Sequence, residues 1–390
     1  MSVISFNISY KDGLKYINNK CSKYTSEVIN YDYKTIYFIP DIHGDFDSFF
    51  NILKKINCII VKNNCIEWNP KSKNICIIQS GDIISGYREQ TPEALKNVFS
   101  YDLLIIKMML ILSEQAKQYN SNIILLYGNH EILALIKILK YSEYENFYHF
   151  TVKNFKFNTS GKINYSKELY LLKDYIICNY KSVVLINDIL VCHCGLIDYL
   201  IKKMLDYIKF PFDEFNKLDN NDKIDILNNC GTIIINYLTE NIINNSNNKL
   251  SGIQYKQFYD FMNFYYTKIY KKAEKKENKK EIVELINNLD KIIKFNNMII
   301  GHNMTNNKKI VTLSTNKKKL YLADNGLSRV FNFVKPNNPG NEILKYTKSK
   351  NIQIVKFDNI HNNITELMNT NKLKIICNLD NKLIQIKTIK

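Results

Sequence analysis

Short apolar runs recur along this chain, and each one ends in polar residues and glycine. The runs hold four or five residues and are often β-branched, which is typical of strands buried on both faces of a sheet. They lie at 35–39, 75–79, 123–127, 188–192 and 297–300. Two segments with helical periodicity, 46–56 and 91–119, separate the first runs, and the second opens on a helix-start signal, Thr91-Pro92. Strand–helix–strand order predicts parallel strands with right-handed crossovers, and therefore an α/β fold.

The later part of the chain interrupts this rhythm with an asparagine-rich stretch and a further helical segment. We interpret 196–295 as an inserted, partly helical cap region that shapes substrate access, within a main domain at 31–357. Residues 1–30 form an N-terminal segment without a strong pattern, and 358–390 form a C-terminal extension. Beyond the cap region the pattern predicts further strands at 309–314, 319–324 and 352–357.

The composition is that of a globular chain, with 45% apolar and 23% charged residues. The start lacks an apolar leader, and the most apolar run, 103–112, is too short to cross a membrane and contains a lysine. Nine cysteines without CxxC pairs predict reduced thiols and an intracellular, cytoplasmic protein that does not bind membranes. Cys192-His193-Cys194 has the look of a metal cluster, but buried thiols on a strand are the preferred interpretation.

The net charge of +17 does not predict a nucleic-acid partner, because the lysines are scattered along the chain. The net charge predicts only a weak preference for acidic or phosphorylated partners. Of 54 basic residues only two are arginines, Arg88 and Arg329. Arginine supplies a planar, bidentate fork that lysine lacks, so each of these two is a candidate for a specific site, with survival by chance as the alternative.

The ends of the predicted strands carry a set of candidate metal ligands. These are two carboxylates, three imidazoles and one carboxamide: Asp41, His43, Asp82, Asn129, His193 and His302. Four of the six histidines, His130 included, fall at strand ends, which makes a purely structural role for all of them a poor explanation. Oxygen and imidazole ligands suit divalent first-row metals, and a bridging carboxylate would let two ions share one site for phosphoryl hydrolysis.

Five motifs at these positions resemble those of the calcineurin-like metallophosphoesterases and, within them, of the serine/threonine phosphoprotein phosphatases. They are PDIHG, GDIISGY, GNHE, HCG and GHN, and they span about 36–330. The stretch ADNGLSRVF, 323–331, also resembles a motif of the Shewanella-like protein phosphatases. The resemblance implies a four-layer α/β/β/α sandwich with two metal ions at one edge of the sheets.

The resemblance also implies a role for each matching residue. Asp41 and His43 would hold the first metal, Asp82 would bridge the two, and the second would be completed by Asn129, His193 and His302. A metal-bridging hydroxide would attack phosphorus, and His130 would protonate the leaving alkoxide. Manganese is the expected ion, with iron or zinc as alternatives that the ligand types accept equally.

The second motif departs from the family pattern, because Ser85-Gly86 stands where an aspartate and an arginine are usual. The aspartate would orient the catalytic histidine, and the arginine would bind the substrate phosphate. Arg88 is a candidate replacement from a shifted loop, with a surface arginine as the alternative. Arg329 is a second candidate for the substrate phosphate, with a packing or capping role as the alternative.

Three functions fit these features. The first is a metal-dependent phosphatase acting on phosphoserine or phosphothreonine in proteins. The second keeps the chemistry but takes small phosphoesters or dinucleoside polyphosphates, because fold alone does not select the substrate. The third is a catalytically weakened, phosphatase-like binding protein, and Ser85-Gly86 is the feature that favours it.

Overall fold

The strands and helices of this computed structural model lie mostly where the apolar runs predict them. The structure describes residues 8–22, 33–84, 102–137, 165–244, 258, 261–315, 317–329, 340–348, 351–358 and 360. Within these residues the strands β1 to β12 are Thr35–Ile39, Ile59–Lys62, Cys65–Trp68, Ile75–Gln79, Asn122–Leu125, Val183–Ile186, Ile189–Cys192, Asn297–Ile300, Val311–Ser314, Lys319–Leu322, Glu342–Thr347 and Ile352–Lys356. The helices α1 to α9 are Tyr10–Cys21, Phe46–Lys55, Asp102–Lys117, Asn129–Lys137, Tyr165–Asn179, Asp198–Tyr207, Phe212–Lys217, Asn220–Asn244 and Lys279–Ile292.

Ten of the strands form two five-stranded mixed sheets. The first sheet has the order β12-β11-β1-β4-β5, and the second has the order β6-β7-β8-β10-β9. The neighbours β1, β4 and β5 are parallel, as are β7, β8 and β10. The antiparallel strands β11, β12, β6 and β9 lie toward the edges. The prediction of parallel strands is therefore confirmed for the central part of both sheets.

The two sheets pack face to face, and helices cover their outer faces. Alternate residues of the first sheet, such as Phe38 and Ile78, share one buried cluster with Val191 and Ile299 of the second sheet. The residues between them, such as Ile77, point the other way into a larger cluster that includes helical side chains. This period-two division follows from the alternation of side chains along a strand. The four-layer α/β/β/α sandwich is confirmed.

Helix α1 is fastened to the helical layer by a disulfide between Cys21 and Cys178, the latter on α5. The side chain of Lys20 adds ion pairs of 2.9 Å to Asp174 and to Glu240 of α8. The expectation that all cysteines are reduced is therefore wrong, and the argument for an intracellular location loses that support. The sequence could not show this pair, because 157 residues separate the two cysteines and only packing of α1 brings them together.

The asparagine-rich stretch forms much of α8, a helix of 25 residues that packs against β6, α1 and α4. This part of the predicted cap region belongs to the outer helical layer of the second sheet. The remainder includes a 3₁₀ helix at Ile269–Glu274. The role of 196–295 in substrate access stays a prediction, and 361–390 of the predicted C-terminal extension lie outside the described residues. In the part of the chain that is described, no helix combines the length and apolarity needed to span a bilayer.

Candidate active site

The predicted site residues lie in loops that leave the carboxyl ends of central parallel strands. Asp41 follows β1, Asp82 follows β4, and His302 follows β8. Parallel strands end at the same edge of a sheet, and such edges are where α/β proteins build their sites. The backbone N–H of His302 donates to both carboxylate oxygens of Asp41, at 3.0 and 3.1 Å. This contact joins the loops of the two sheets.

Asp82 lies at the centre of the histidines. Its Oδ2 is 3.5 Å from Nε2 of His193 and 3.8 Å from Nε2 of both His43 and His130. Two groups of possible ligand atoms share this carboxylate, and within each group all the ligand atoms lie within 4.8 Å of one another. The first group is His43, Asp82 and His130, and the second is Asp82, His193 and His302. Asp82 is therefore the residue that connects the two groups.

The remaining predicted ligands border the same space. Oδ1 of Asn129 lies 3.1 Å from Nε2 of His193, and Oδ2 of Asp41 lies 3.9 Å from Nε2 of His43. All six predicted ligands are thus brought together with His130. The first ligand group contains His130 rather than Asp41, so the assignment of ligands to individual ions stays a prediction.

Three of the candidate ligands have a left-handed backbone conformation that is uncommon outside glycine. The φ angles are 44° at His43, 55° at Asp82 and 57° at His302. Such conformations cost on the order of 1 kcal/mol or more each, and they persist where surrounding contacts fix them. Here the backbone N–H of His43 donates to the carbonyl of Asp82 at 2.9 Å, and Gly44 donates to Ile83 at 2.7 Å. The two ligand loops therefore hold each other in place.

Glu131 fixes the loop that carries Asp82. Its buried carboxylate accepts four backbone N–H groups at 2.8 to 3.2 Å, from Asp82, Ile83, Ile84 and Gly128. Burial raises the pKa of Glu131 to about 7, with Asp82 adding to the increase and the N–H donors opposing it. The glutamate of GNHE is thus a brace for the loop.

Two motif glycines allow close approach of the backbone to the carboxylates. A Cβ atom at Gly128 would overlap the Asp82 carboxylate and its backbone nitrogen. A Cβ atom at Gly301 would overlap Oδ1 of Asp41 and lie 2.7 Å from Oγ of Ser80. Glycine is required at both positions because any side chain would displace a candidate ligand.

The donor set fits divalent metal ions. Nε2 of His302 is buried without a hydrogen-bond partner, which is unusual for a polar atom. Nδ1 of His193 lies 2.7 Å from the carbonyl of Ser80, so this nitrogen is the donor, and Nε2 faces Asp82. A hydrogen bond from the other ring nitrogen is how metal-binding histidines are commonly oriented.

The charges of the cluster also favour cations. Burial and the neighbouring Asp324 raise the pKa of Asp41 well above its ordinary value. Burial would also raise the pKa of Asp82, but the surrounding histidines, His193 first, hold it well below the ordinary value. Burial lowers the pKa of His302 to about 3. Burial would also lower the pKa of His193, but Asp82 and Asp41 raise it to about 10. In the absence of metal, protons on the imidazoles thus balance the buried carboxylates, and divalent cations would take over that role.

Arg329 contacts two buried carboxylates at the start of α2. Its Nη2 lies 2.7 Å from both Asp45 and Asp47, its Nε donates to Asp45, and its backbone N–H donates to Asp45 at 2.8 Å. The side chain of Arg329 is 17% exposed. These contacts favour the packing and capping alternative for Arg329, and its role as a phosphate ligand stays a prediction. Arg88, together with Ser85 and Gly86, lies outside the described residues.

Two residues of the site escaped the sequence analysis. Asp324 is buried at the end of β10, and burial raises its pKa to about 6. Asp324 could have been predicted as a site residue, because it is the polar residue at the end of the predicted strand 319–324. Tyr266, whose ring lies 4.8 Å from that of His302, comes from the predicted cap region, where no motif marks it. Cys192 and Cys194 are buried free thiols, in agreement with the preferred interpretation.

Comparison with known proteins identifies a family and a relative by sequence. The sequence model of the calcineurin-like phosphoesterases matches residues 34–229. The chain is 25% identical over 309 residues to Shewanella-like protein phosphatase 1 of Plasmodium berghei (strain Anka), covering 76% of this chain and 68% of that protein.

Two solved structures resemble the fold. A cold-active protein tyrosine phosphatase matches with a TM-score of 0.48 and 17% identity, over 85% of this chain and 81% of that chain. A protein serine/threonine phosphatase from Saccharomyces cerevisiae matches with a TM-score of 0.37 and 14% identity, over 90% of this chain and 89% of that chain.

Proposed function

The chain belongs to the calcineurin-like phosphoesterase family, hydrolases that act on phosphoric esters, and we propose that it is a serine/threonine protein phosphatase with a dinuclear metal centre. The observation that carries this proposal is the position of Asp82, whose carboxylate belongs to both groups of possible metal ligands. The similarity to a Shewanella-like protein phosphatase supports a phosphorylated protein as the substrate.

The candidate ligands divide between two divalent ions, with manganese as the expected metal. Asp41 and His43 would hold one ion and Asp82 would be shared, while Asn129, His193 and His302 would hold the other. When bound, such ions supply an activated water nucleophile and neutralise negative charge on the phosphoryl group.

His130 is positioned to act as the general acid. Its backbone N–H donates to Oδ1 of Asp82 at 2.9 Å, and its ring packs edge-on against His43 at a centroid distance of 5.0 Å. The side chain is 22% exposed, so a substrate can reach it. In the proposed reaction its imidazolium gives a proton to the departing alkoxide oxygen.

The experiment combines metal content with hydrolysis. Purified protein loaded with manganese is expected to bind two ions per chain and to hydrolyse p-nitrophenyl phosphate, and Asp82→Asn is expected to lose both properties. His130→Asn is expected to keep both ions and to lose activity on alkyl phosphates more than on p-nitrophenyl phosphate, whose leaving group needs no proton. Two bound ions without any hydrolysis would instead indicate the weakened, phosphatase-like binding protein.

A substrate panel separates the remaining alternatives. We expect phosphoserine and phosphothreonine peptides to be hydrolysed with a higher kcat/KM than diadenosine tetraphosphate. The reverse order would make the chain a hydrolase of small phosphoesters and would overturn the assignment to protein phosphatases.

A further inference from the structure

The segment 264–268 is attached to both loops that carry the histidines of the second ligand group. Sγ of Cys194, the residue after His193, donates to the carbonyl of Phe264 at 3.0 Å. Nδ2 of Asn303, the residue after His302, donates to the carbonyl of Thr267 at 3.5 Å. The position of this segment is therefore fixed relative to the candidate metal centre.

Two exposed side chains of this segment lie beside the centre. The ring of Tyr266 packs against His302 in an edge arrangement, with 4.8 Å between the centroids, and the tyrosine is 47% exposed. Nζ of Lys268 lies 5.1 Å from the centroid of the Tyr266 ring, within the range of a cation–π contact. Tyr266 thus contacts a candidate ligand and a cation at once.

The charge of Lys268 reaches the site. The same ring of Tyr266 contacts both His302 and Lys268, so the ammonium group of Lys268 is one aromatic ring away from a candidate metal ligand. An incoming phosphoryl group would meet this positive charge next to His302. Arg329, by contrast, is already bound by Asp45 and Asp47.

We propose that Lys268, held by the ring of Tyr266, binds the phosphoryl oxygens of the substrate at the metal centre. This inference rests on the proposed function, because it assigns a ligand to the same site. Lysine binds phosphate as a point charge, and a cation beside the site of phosphoryl transfer stabilises the charge that develops there. Lys268 would thereby supply the charge that the arginine absent at Gly86 supplies in the family motif.

Binding of inorganic phosphate to the manganese-loaded protein tests the proposal without depending on turnover. Lys268→Gln is expected to raise the Kd for phosphate about tenfold and to raise KM for p-nitrophenyl phosphate similarly, with the metal content and Tm unchanged. Tyr266→Leu is expected to weaken phosphate binding by about threefold, whereas Tyr266→Phe keeps the ring and is expected to retain the phosphate affinity.

Lys275→Gln is the matched control, because this lysine is 70% exposed on the same stretch of chain and pairs only weakly with Glu277. An unchanged Kd in Lys268→Gln, or an equal change in Lys275→Gln, would overturn the proposal. If the wild type binds phosphate through Lys268 but hydrolyses no ester, the role of Lys268 stands and the proposed function fails. If the wild type hydrolyses esters and Lys268→Gln does so equally well, only the role of Lys268 fails.

Discussion

Glu131 shows how one residue can matter to a metal centre without touching a metal. Its two oxygens accept four backbone N–H groups, and three of these belong to the loop of Asp82. The left-handed φ of Asp82 requires such support, because that conformation is unfavourable for a residue with a side chain. A change at Glu131 should therefore reach the metal through Asp82.

Glu131→Gln is expected to lower the free energy of unfolding by about 2 kcal/mol or more and to weaken manganese binding. The amide would place an N–H₂ group where a backbone N–H needs an acceptor, and a buried donor without an acceptor is costly. Thermal unfolding and calorimetric titration with manganese measure the two effects. Glu114→Gln is the control, because its side chain is 58% exposed and it forms only a surface pair with Lys117. Equal metal affinity in both variants would contradict the bracing role.

Gly301→Ala is expected to separate metal binding from folding. The added methyl group would overlap the Asp41 carboxylate, which is buried and hydrogen-bonded to His302. We expect the manganese Kd to rise at least tenfold while Tm falls by only a few degrees, because overpacking by one methyl group typically costs about 1–3 kcal/mol. Retained manganese affinity would show that Asp41 can move without loss of the site.

At the scale of elements, the sequence was most informative where a buried strand ends in polar residues. The predicted runs 35–39, 75–79 and 297–300 match β1, β4 and β8 residue for residue. Continuous β-branched runs have few alternatives to a buried strand, and glycine marks where they stop. The candidate ligands could be found because each follows such a run.

Other elements could not be predicted, because their stability comes from packing rather than from local pattern. Helix α8 is rich in asparagine, which has a low helix propensity, and contact with β6 and α1 compensates for that composition. Helix α1 carries no strong periodicity and depends on its contacts with α5 and α8. The cap region was delimited by composition alone, and composition does not show which helices belong to the outer layer.

The start of α2 is fixed by a contact that sequence spacing cannot reveal. Asp45 caps this helix by accepting the N–H of Ser48 at 3.2 Å, and Arg329 binds the same carboxylate from 284 residues away. Asp45 directly follows the ligand loop of Asp41 and His43. The ion pair therefore connects that loop to the end of the ADNGLSR stretch.

Arg329→Gln is expected to lower the free energy of unfolding by about 3 kcal/mol, because it removes the cation that pairs with the buried carboxylates of Asp45 and Asp47. Burial opposes ionisation of Asp45, but Arg329 holds its pKa below the ordinary value. The stabilisation is therefore complete above the ordinary pKa of about 3.9 and is lost only as the pH falls through the lower folded value. The difference in the free energy of unfolding between the variant and the wild type should therefore stay constant between pH 5 and pH 8, as measured by denaturant titrations.

Lys319→Gln, an exposed change on β10, is the control for Arg329→Gln. A variant at Arg329 with normal stability but weaker phosphate binding would reverse the interpretation and favour the phosphate-ligand role.

At the scale of the whole molecule, the site exists because two sheets face each other. Strand order within each sheet and the pairing of the sheets are long-range properties, and no local pattern encodes them. His302 reaches Asp41 only because the end of β8 in one sheet meets the end of β1 in the other. The motifs in the sequence identified the candidate ligands. Only the structure shows that the ligands come from the edges of two different sheets.

The disulfide between Cys21 and Cys178 acts on the same scale, because it joins the first helix to a cysteine of the helical layer that is 157 residues later in the chain. Closing so long a loop reduces the entropy of the unfolded chain. Through this effect the bond contributes roughly 3–5 kcal/mol to the free energy of unfolding. Cys21→Ser and Cys178→Ser are each expected to lower Tm and to increase hydrogen exchange in α1.

The double variant should be no less stable than either single variant, because all three break the same bond. Additive losses would mean that each cysteine contributes separately through packing. A peptide linking Cys21 to Cys178 is expected in a digest made without reductant, and its absence would mean that these two thiols are reduced. In that case the ion pairs of Lys20 with Asp174 and Glu240 would have to hold α1 on the sandwich, and Lys20→Gln would then be the change that releases it.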